Sequence, residues 1–561
     1  MIRLLILLTF LTLPAQADTA SRDALLAGDK AFALALPFDD FTAPEGATPG
    51  APLEGRLRLD MTALGGGFQL VRDPGDIAAN PNHAVRSLPV IDLDLVQEGD
   101  DIIPKNQGII ETAHPYFDLI FTPGKSWGEA DGRRFISLPF AMMEKGANCI
   151  HNGALLLAID ALGKASVALA QIGSETCAYF QFNFWAAYKA EWSAGPVADA
   201  PAIRERHHAV RAARLPVRAM ADLPQGLEEK SFSQADQIPP AFMSVYGLVL
   251  DGVHYRGGCA TRLGPYPHCD SLVLPSYSLA KSLAGGLGLM RLEALYGDAF
   301  TAKVADLIPD CADWGDVTLG DLLNMSTGRY ASRVPHADEA SEAYMPFFAT
   351  LAGQEKTAFA CTHFGFKTKP GKRWVYHTSD TYLLGVAMNA FLAKRGAEGA
   401  DYYRDQLVPI WQSMTLSPLM AVMRQTGGPE AAPFTGYGMV LTTDDIARVS
   451  SALAAGDTRL ASHFAARPLA AALQREPRDR GLEAGAKSLR YKNGFWAWNA
   501  RESLGCKADT WLPFLSGYGG ITVVLLPGGN IYYYFSDSGL HVFADAVKAL
   551  SAITPICGET S

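Results

Sequence analysis

Ser278-Leu279-Ala280-Lys281 follows the extended Pro275-Ser276-Tyr277 and opens an apolar, helix-like stretch that runs to Leu295. Three residues apart on a helix, Ser278 and Lys281 share a face. A helix start also aims backbone N–H groups at any negative charge that develops there. A lysine buried in such a place loses solvation, its pKa falls, and it can take the serine proton. Two fixed positions recur roughly once by chance in a chain this long. Taken alone, the four residues read equally as a capped helix with a solvated lysine.

Further blocks give the motif its context. Pro370-Gly371-Lys372-Arg373-Trp374-Val375-Tyr376-His377-Thr378-Ser379-Asp380-Thr381-Tyr382-Leu383-Leu384-Gly385 resembles the Pro-Gly-x-x-Phe-x-Tyr-Ser-Asn…Leu-Leu-Gly block of the class C β-lactamase and penicillin-binding-protein superfamily. Val317 to Gly328 resembles that superfamily's Ile-Thr-…-Leu-Leu-…-Ser-Gly stretch. Gly436 to Arg448 is similar to its Gly-Gly-…-Ser-Thr-…-Asp-Leu-Ala-Arg stretch. Leu515-Ser516-Gly517-Tyr518-Gly519-Gly520 stands where its Lys/His-Thr/Ser-Gly edge strand belongs. The five matches are in order, and the resemblance covers the chain from about Phe242 onward.

The resemblance implies roles. Ser278 is the nucleophile, Lys281 its general base and Tyr376 the proton relay. The N–H groups of Ser278 and Tyr518 form the oxyanion hole, and Thr378, Ser516, Gly517 and Trp496 line the substrate. No metal or cofactor is called for, because the lysine–phenol pair does the proton work that imidazole does elsewhere. Two positions depart from the pattern. Thr378 replaces an asparagine, and Leu515 replaces the cationic or imidazole residue that helps to hold a substrate carboxylate. With those losses the chain looks closest to the esterases and the 6-aminohexanoate-dimer hydrolases.

Outward from these motifs, the second region opens on a strand at Phe242–Asp251 that turns at Asp251-Gly252 into Val253–Tyr255, a hairpin. The end returns to strands at Gly494–Trp498, Ile521–Leu526 and Ile531–Phe535, then a helix at Val542–Ala552. The expected fold is therefore α+β: a β-lactamase-like transpeptidase fold, with an antiparallel sheet closed by both ends of its region and flanked by helices, and a helical region inserted. Ahead of it, Leu53–Trp192 alternates like strands between turn clusters. The expected division is 18–225, a strand-rich domain of unknown role, and 226–561, the hydrolase domain.

Arg3, the apolar Leu4–Leu13, Pro14 and Ala15-Gln16-Ala17 read as a cleavable leader over residues 1–17, so a periplasmic or secreted chain is expected, without a membrane span. Eight cysteines agree with an oxidising compartment. Nearest-neighbour pairing would join Cys149–Cys177, Cys259–Cys269, Cys311–Cys361 and Cys506–Cys557, although sequence leaves the connectivity open. The net charge of -10 and the lack of a basic run argue against nucleic acid as a partner. Gly124-Lys125-Ser126-Trp127-Gly128 imitates a nucleophile elbow but reads as a hairpin turn. His207-His208 reads as solvated surface. His377 either tunes Tyr376 or faces outward, and Trp496 and Trp498 either line a pocket or pack on a strand.

Three functions fit. The first is hydrolysis of a small ester or linear amide through an acyl-enzyme on Ser278. The second is a D,D-peptidase or β-lactamase, against which Leu515 and Thr378 weigh. The third is a binding protein that has lost catalysis, against which the survival of Ser278, Lys281 and Tyr376 together weighs.

Overall fold

The computed structural model describes residues 22–28 and 36–557. The expected leader lies outside the described residues. Two nine-stranded sheets organise the molecule. The first contains β1 (Glu54–Arg72), β2 (Val90–Glu98), β3 (Asp101–Pro104), β4 (Phe117–Phe121), β5 (Gly124–Gly128), β6 (Arg134–Glu144), β7 (Ile150–Ile159), β8 (Ala168–Thr176) and β9 (Asn183–Ala194). Their order is β4-β6-β5-β3-β2-β1-β9-β8-β7, and β6 also pairs with β7, so the sheet closes into an antiparallel barrel. Closure removes the open edges that an isolated sheet would expose.

The barrel interior is packed with side chains such as Leu57, Leu95, Phe117, Leu138, Leu155 and Phe182. Early β1 alternates between buried and exposed positions, as a strand with one wet face should. By contrast β7 is buried at every residue. Leu155 and Leu157 point into the barrel, while Ala154 and Leu156 join the core of the second unit. A strand covered on both faces loses its alternation, which is why Ala154 to Ala158 reads as a continuous apolar run.

The second sheet takes β10 (Val217–Ala219), β11 (Met243–Leu250), β12 (Val253–Gly258), β13 (Leu482–Glu483), β14 (Leu489–Lys492), β15 (Phe495–Asn499), β16 (Trp511–Gly517), β17 (Ile521–Leu525) and β18 (Ile531–Ser536). Its order is β10-β12-β11-β18-β17-β16-β15-β14-β13. Pairing of β11 with β18 closes it from both ends of its region, and the helical segments between β12 and β13 cover one face. This is the expected α+β architecture. β10 already belongs to this sheet, ahead of the expected boundary at 225, because it runs parallel to β12.

Sheet faces are set by alternation. Val523, Tyr533 and Phe535 join the same core as Leu279, Ala280 and Leu283, which follow Ser278. Val524, Tyr532 and Tyr534 pack on the other face against Ala546, Val547 and Leu550 of the helix Ala544–Ser551. Burying each large aliphatic or aromatic chain contributes about 1.5–3 kcal/mol.

Two expectations change. Gly124–Gly128 is strand β5 rather than the turn itself, paired with β6 from Lys125↔Ser137 to Gly128↔Arg134. Ser126 is buried and accepts a hydrogen bond from Arg134, so it is no nucleophile. His207 is not solvated: the helix Ala200–Ala212 packs over β2 and β3 and brings Nε2 to 2.9 Å from Asp101. Among the described residues no helix is long and apolar enough to cross a membrane.

The eight cysteines form Cys149–Cys177, Cys259–Cys269, Cys311–Cys361 and Cys506–Cys557. The last two close loops of 50 and 51 residues, each worth roughly 4 kcal/mol on the chain-entropy account. Thiol titration of unreduced, denatured protein is expected to find none of the eight free; several reactive thiols would contradict these pairings.

Candidate active site

Ser278 leaves the short strand Leu274–Pro275, and its neighbour Tyr277 has φ +39°, a left-handed conformation that side chains other than glycine rarely adopt. That turn swings the chain abruptly into the helical layer. The first amides bond three residues back: Leu279 to Ser276 O, Ala280 to Tyr277 O and Lys281 to Ser278 O. A π-helical turn then spans Lys281–Gly286 and passes into the α-helix Leu287–Tyr296. Ser282, Gly285 and Gly286 keep this turn thin, and a Cβ on Gly286 would stand 2.7 Å from Asn493 O.

The structure brings Ser278, Lys281 and Tyr376 together. Lys281 is fully buried, and its Nζ lies 3.0 Å from Ser278 Oγ, 3.0 Å from Thr378 Oγ1 and 3.1 Å from Gly436 O. Tyr376 Oη donates to Ser278 Oγ across 2.5 Å. Lys281 Nζ also lies 4.9 Å from the centre of the Tyr376 ring. Gly436 permits this approach, because a Cβ there would be 3.3 Å from Nζ and 2.4 Å from Thr381 Oγ1.

Hydrogen-bond bookkeeping assigns the lone pair of the lysine. The carbonyl of Gly436 can only accept. The Thr378 hydroxyl donates its one proton to Glu339 Oε1, so it too must accept from Lys281. A neutral amine has two N–H groups and one lone pair. Both N–H groups are taken, and the lone pair falls on Ser278 Oγ. Burial lowers the Lys281 pKa to about 8, against the attraction of Glu339 and Asp380. Burial drives the Tyr376 phenol upward, further raised by Glu339, so it stays protonated and ready to donate.

Glu339 has no sequence signal in the motif blocks. It is half-buried at the start of the helix Thr378–Ala393, where Thr378 N donates to its Oε2 across 2.9 Å. Burial raises its pKa, while Lys281 and the Thr378 bonds oppose the rise. A buried ion pair beside it fixes its loop. His377 Nε2 donates to Asp338 across 3.0 Å, and Asp338 accepts from the N–H groups of Ala331 and Ser332. Burial disfavours the imidazolium, but Asp338 and Asp380 lift the His377 pKa to about 9. His377 is therefore an inward-facing anchor, stacked on Phe364 at 4.2 Å.

The expected substrate residues part company. Thr378 is buried and its hydroxyl is engaged by Lys281 and Glu339. Trp496 is half-buried, packs on Trp374 at 5.2 Å and lies 6.3 Å from the Tyr376 ring. Trp498 packs on Phe543. Leu515 is fully buried against the nucleophile helix, on the inner face of β16. Ser516 is half-buried, with Oγ 3.3 Å from His541 Nδ1. Gly517 pairs with Ile521 at the end of β16, and a Cβ there would stand 3.0 Å from Ser276 O. Tyr518 begins the following turn, its exposed ring 5.7 Å from Tyr277. Among the described residues, Cys149, His151 and Cys177 are the group close enough to hold a metal, and the two cysteines are joined as a disulfide.

No protein-family model matches the chain, and no curated protein does. Solved structures do. A protein of Bacillus anthracis described as a 6-aminohexanoate-dimer hydrolase is 15% identical, covering 60% of this chain and 85% of that one, with a TM-score of 0.43. A penicillin-binding-protein homologue of Caulobacter crescentus is 18% identical, covering 62% of this chain and 97% of that one, with a TM-score of 0.40. EstCE1, a hydrolase with promiscuous acyltransferase activity, is 14% identical, covering 62% of this chain and 98% of that one, with a TM-score of 0.43. These are the kinds of protein that the ordered motifs resemble. Likeness at these identities and TM-scores says nothing of activity, which rests on the geometry of the site.

A base that must be neutral predicts the pH dependence. For an ester substrate, kcat/KM is expected to rise as pH passes about 8, without an alkaline fall from Tyr376. Glu339→Gln removes a charge that favours protonated Lys281, so the rise should move to lower pH. A rise that stays put or moves upward in Glu339→Gln would rule out the coupling.

Proposed function

We propose that the protein is an exported serine hydrolase that cleaves a small ester or linear amide through an acyl-enzyme on Ser278. The observation that carries this reading is the Lys281 amine, buried and with its lone pair left for Ser278 Oγ. As Oγ bonds to the substrate carbonyl carbon, its proton passes to Lys281 Nζ and the carbonyl π pair moves to oxygen. The N–H groups of Ser278 and Tyr518 take up that charge. Collapse expels the alkoxide or amine, which receives the Tyr376 proton, and Lys281 returns a proton to Tyr376. Water then repeats the sequence in reverse on the acyl-enzyme, releasing the acid and restoring Ser278.

The edge strand supports an ester or linear amide over a β-lactam. A penicillin or a D-Ala-D-Ala peptide carries a carboxylate beside the scissile bond. Leu515 is buried in the core, and the strand offers the Ser516 hydroxyl instead of a fixed cation. Burying a carboxylate with so little compensation is costly. Export is supported by the leader-like first 17 residues and by the four disulfides.

Three measurements test this. A serine-directed fluorophosphonate should label Ser278, and Ser278→Ala should abolish the label while the fold persists; labelling that survives sinks the assignment. Tyr376→Phe should lower kcat by roughly 10²–10⁴. In the third, kcat/KM for p-nitrophenyl butyrate should exceed that for nitrocefin, and the reverse order would restore the lactamase reading.

A further inference from the structure

The segment that delivers Ser278 is held along two edges by two different parts of the molecule. On one edge, Leu274 and Pro275 pair with Leu441 and Val440, and Ser276 N donates to Met439 O across 3.0 Å. The other edge belongs to the barrel. Asn152 of β7 copies a strand partner with its amide: Nδ2 donates to Val273 O across 2.9 Å, and Val273 N donates to Oδ1 across 3.2 Å. Asn148, four residues earlier and on the same side, accepts from Tyr277 N across 2.7 Å and from Ser276 Oγ across 3.3 Å. Both asparagines are within 2% of complete burial.

The bond to Tyr277 N falls at the left-handed residue that aims Ser278. The barrel reaches the other half of the oxyanion hole as well. The Cys149–Cys177 disulfide joins the residue after Asn148 to the segment carrying Ala178 and Tyr179. Tyr179 lies 6.0 Å from the ring of Tyr518, and a Cβ on Gly519 would face Ala178 at 3.6 Å.

We propose that Asn148 and Asn152 are positioning residues for the nucleophile, which makes the N-terminal barrel a component of the catalytic centre and not a separate module. This rests on the reading of Ser278 as nucleophile. An acceptor at residue 148 keeps the Tyr277 turn in the one conformation that sets Ser278 Oγ between Lys281 and Tyr376. Displacing a reacting atom by about 1 Å can cost on the order of 10² in rate.

The test uses the full chain, p-nitrophenyl butyrate, and a circular-dichroism melt of every variant. Asn148→Leu, which cannot accept, should lose about 10²-fold in kcat with KM within about threefold, because the substrate cleft is untouched. Asn148→Asp, which keeps an acceptor, should recover most of that loss, and Asn152→Leu should repeat the kcat defect. A folded Asn148→Leu with kcat within about twofold of the parent overturns the proposal, as does an equal defect in Asn148→Asp. If neither leucine variant folds, the asparagines are structural and the proposal fails. Ser278→Ala run alongside separates the two ideas. Turnover that survives in Ser278→Ala removes the nucleophile reading. A dead Ser278→Ala beside an intact Asn148→Leu removes only the positioning role.

Discussion

A buried amine has to be neutral or paired, and the site is built around how Lys281 meets that demand. Isolation of a full charge in such a place would be expensive. The surroundings instead offer two acceptors for its N–H groups, Gly436 O and Thr378 Oγ1, and leave its third direction to Ser278. The Glu339 carboxylate stands one hydroxyl further out, near enough to stabilise the ammonium when it forms and too far to hold the proton permanently. One set of contacts therefore serves both protonation states, and no group has to reorient when the proton moves.

Glycines and a buried ion pair make that arrangement possible. Gly436 and Gly494 stand where any Cβ would collide with Thr381 Oγ1 or with Lys281 O. His377 and Asp338 hold the loop that carries Glu339 against the strand-like segment that carries Tyr376. Tyr376 N donates to Pro335 O in the same loop, so acid, phenol and anchor are positioned by one short stretch of backbone. Buried ion pairs contribute little net stability, and their use is in fixing one geometry. The threonine at 378 fits this pattern: it accepts from the lysine and donates to the carboxylate at once.

The barrel and the second sheet share a core as well as a boundary. Alternate residues of β7 belong to each, and Asn152 continues the hydrogen bonding of β7 into the nucleophile segment. The strand lacks the alternation of a wet-faced sheet for that reason. Asn152 on that strand is a polar group at a dry position, tolerated because its amide is matched on both sides to Val273 backbone groups.

Local pattern was enough to read the Ser-x-x-Lys, the tyrosine block, the strands at both ends of the second region and a strand-rich first region. Each depends on residues close together in the chain, where periodicity and turn residues record which face is buried. The leucine at 515 was legible as a departure, but only packing shows that its side chain is buried in the same core as Leu279 and Leu283. Glu339, Asn148 and Asn152 carry no local signature: a lone acid and two lone amides acquire meaning from groups 39, 129 and 121 residues away in the chain. The same holds for His207, which reads as solvated, and for His377, which the sequence leaves open, because their partners are Asp101 on the barrel and Asp338 on a separate loop. Sequence determined which candidate residues the chain carries and the elements that present them. Tertiary structure decided protonation and aim, because desolvation and hydrogen-bond direction exist only once distant segments have closed around the lysine.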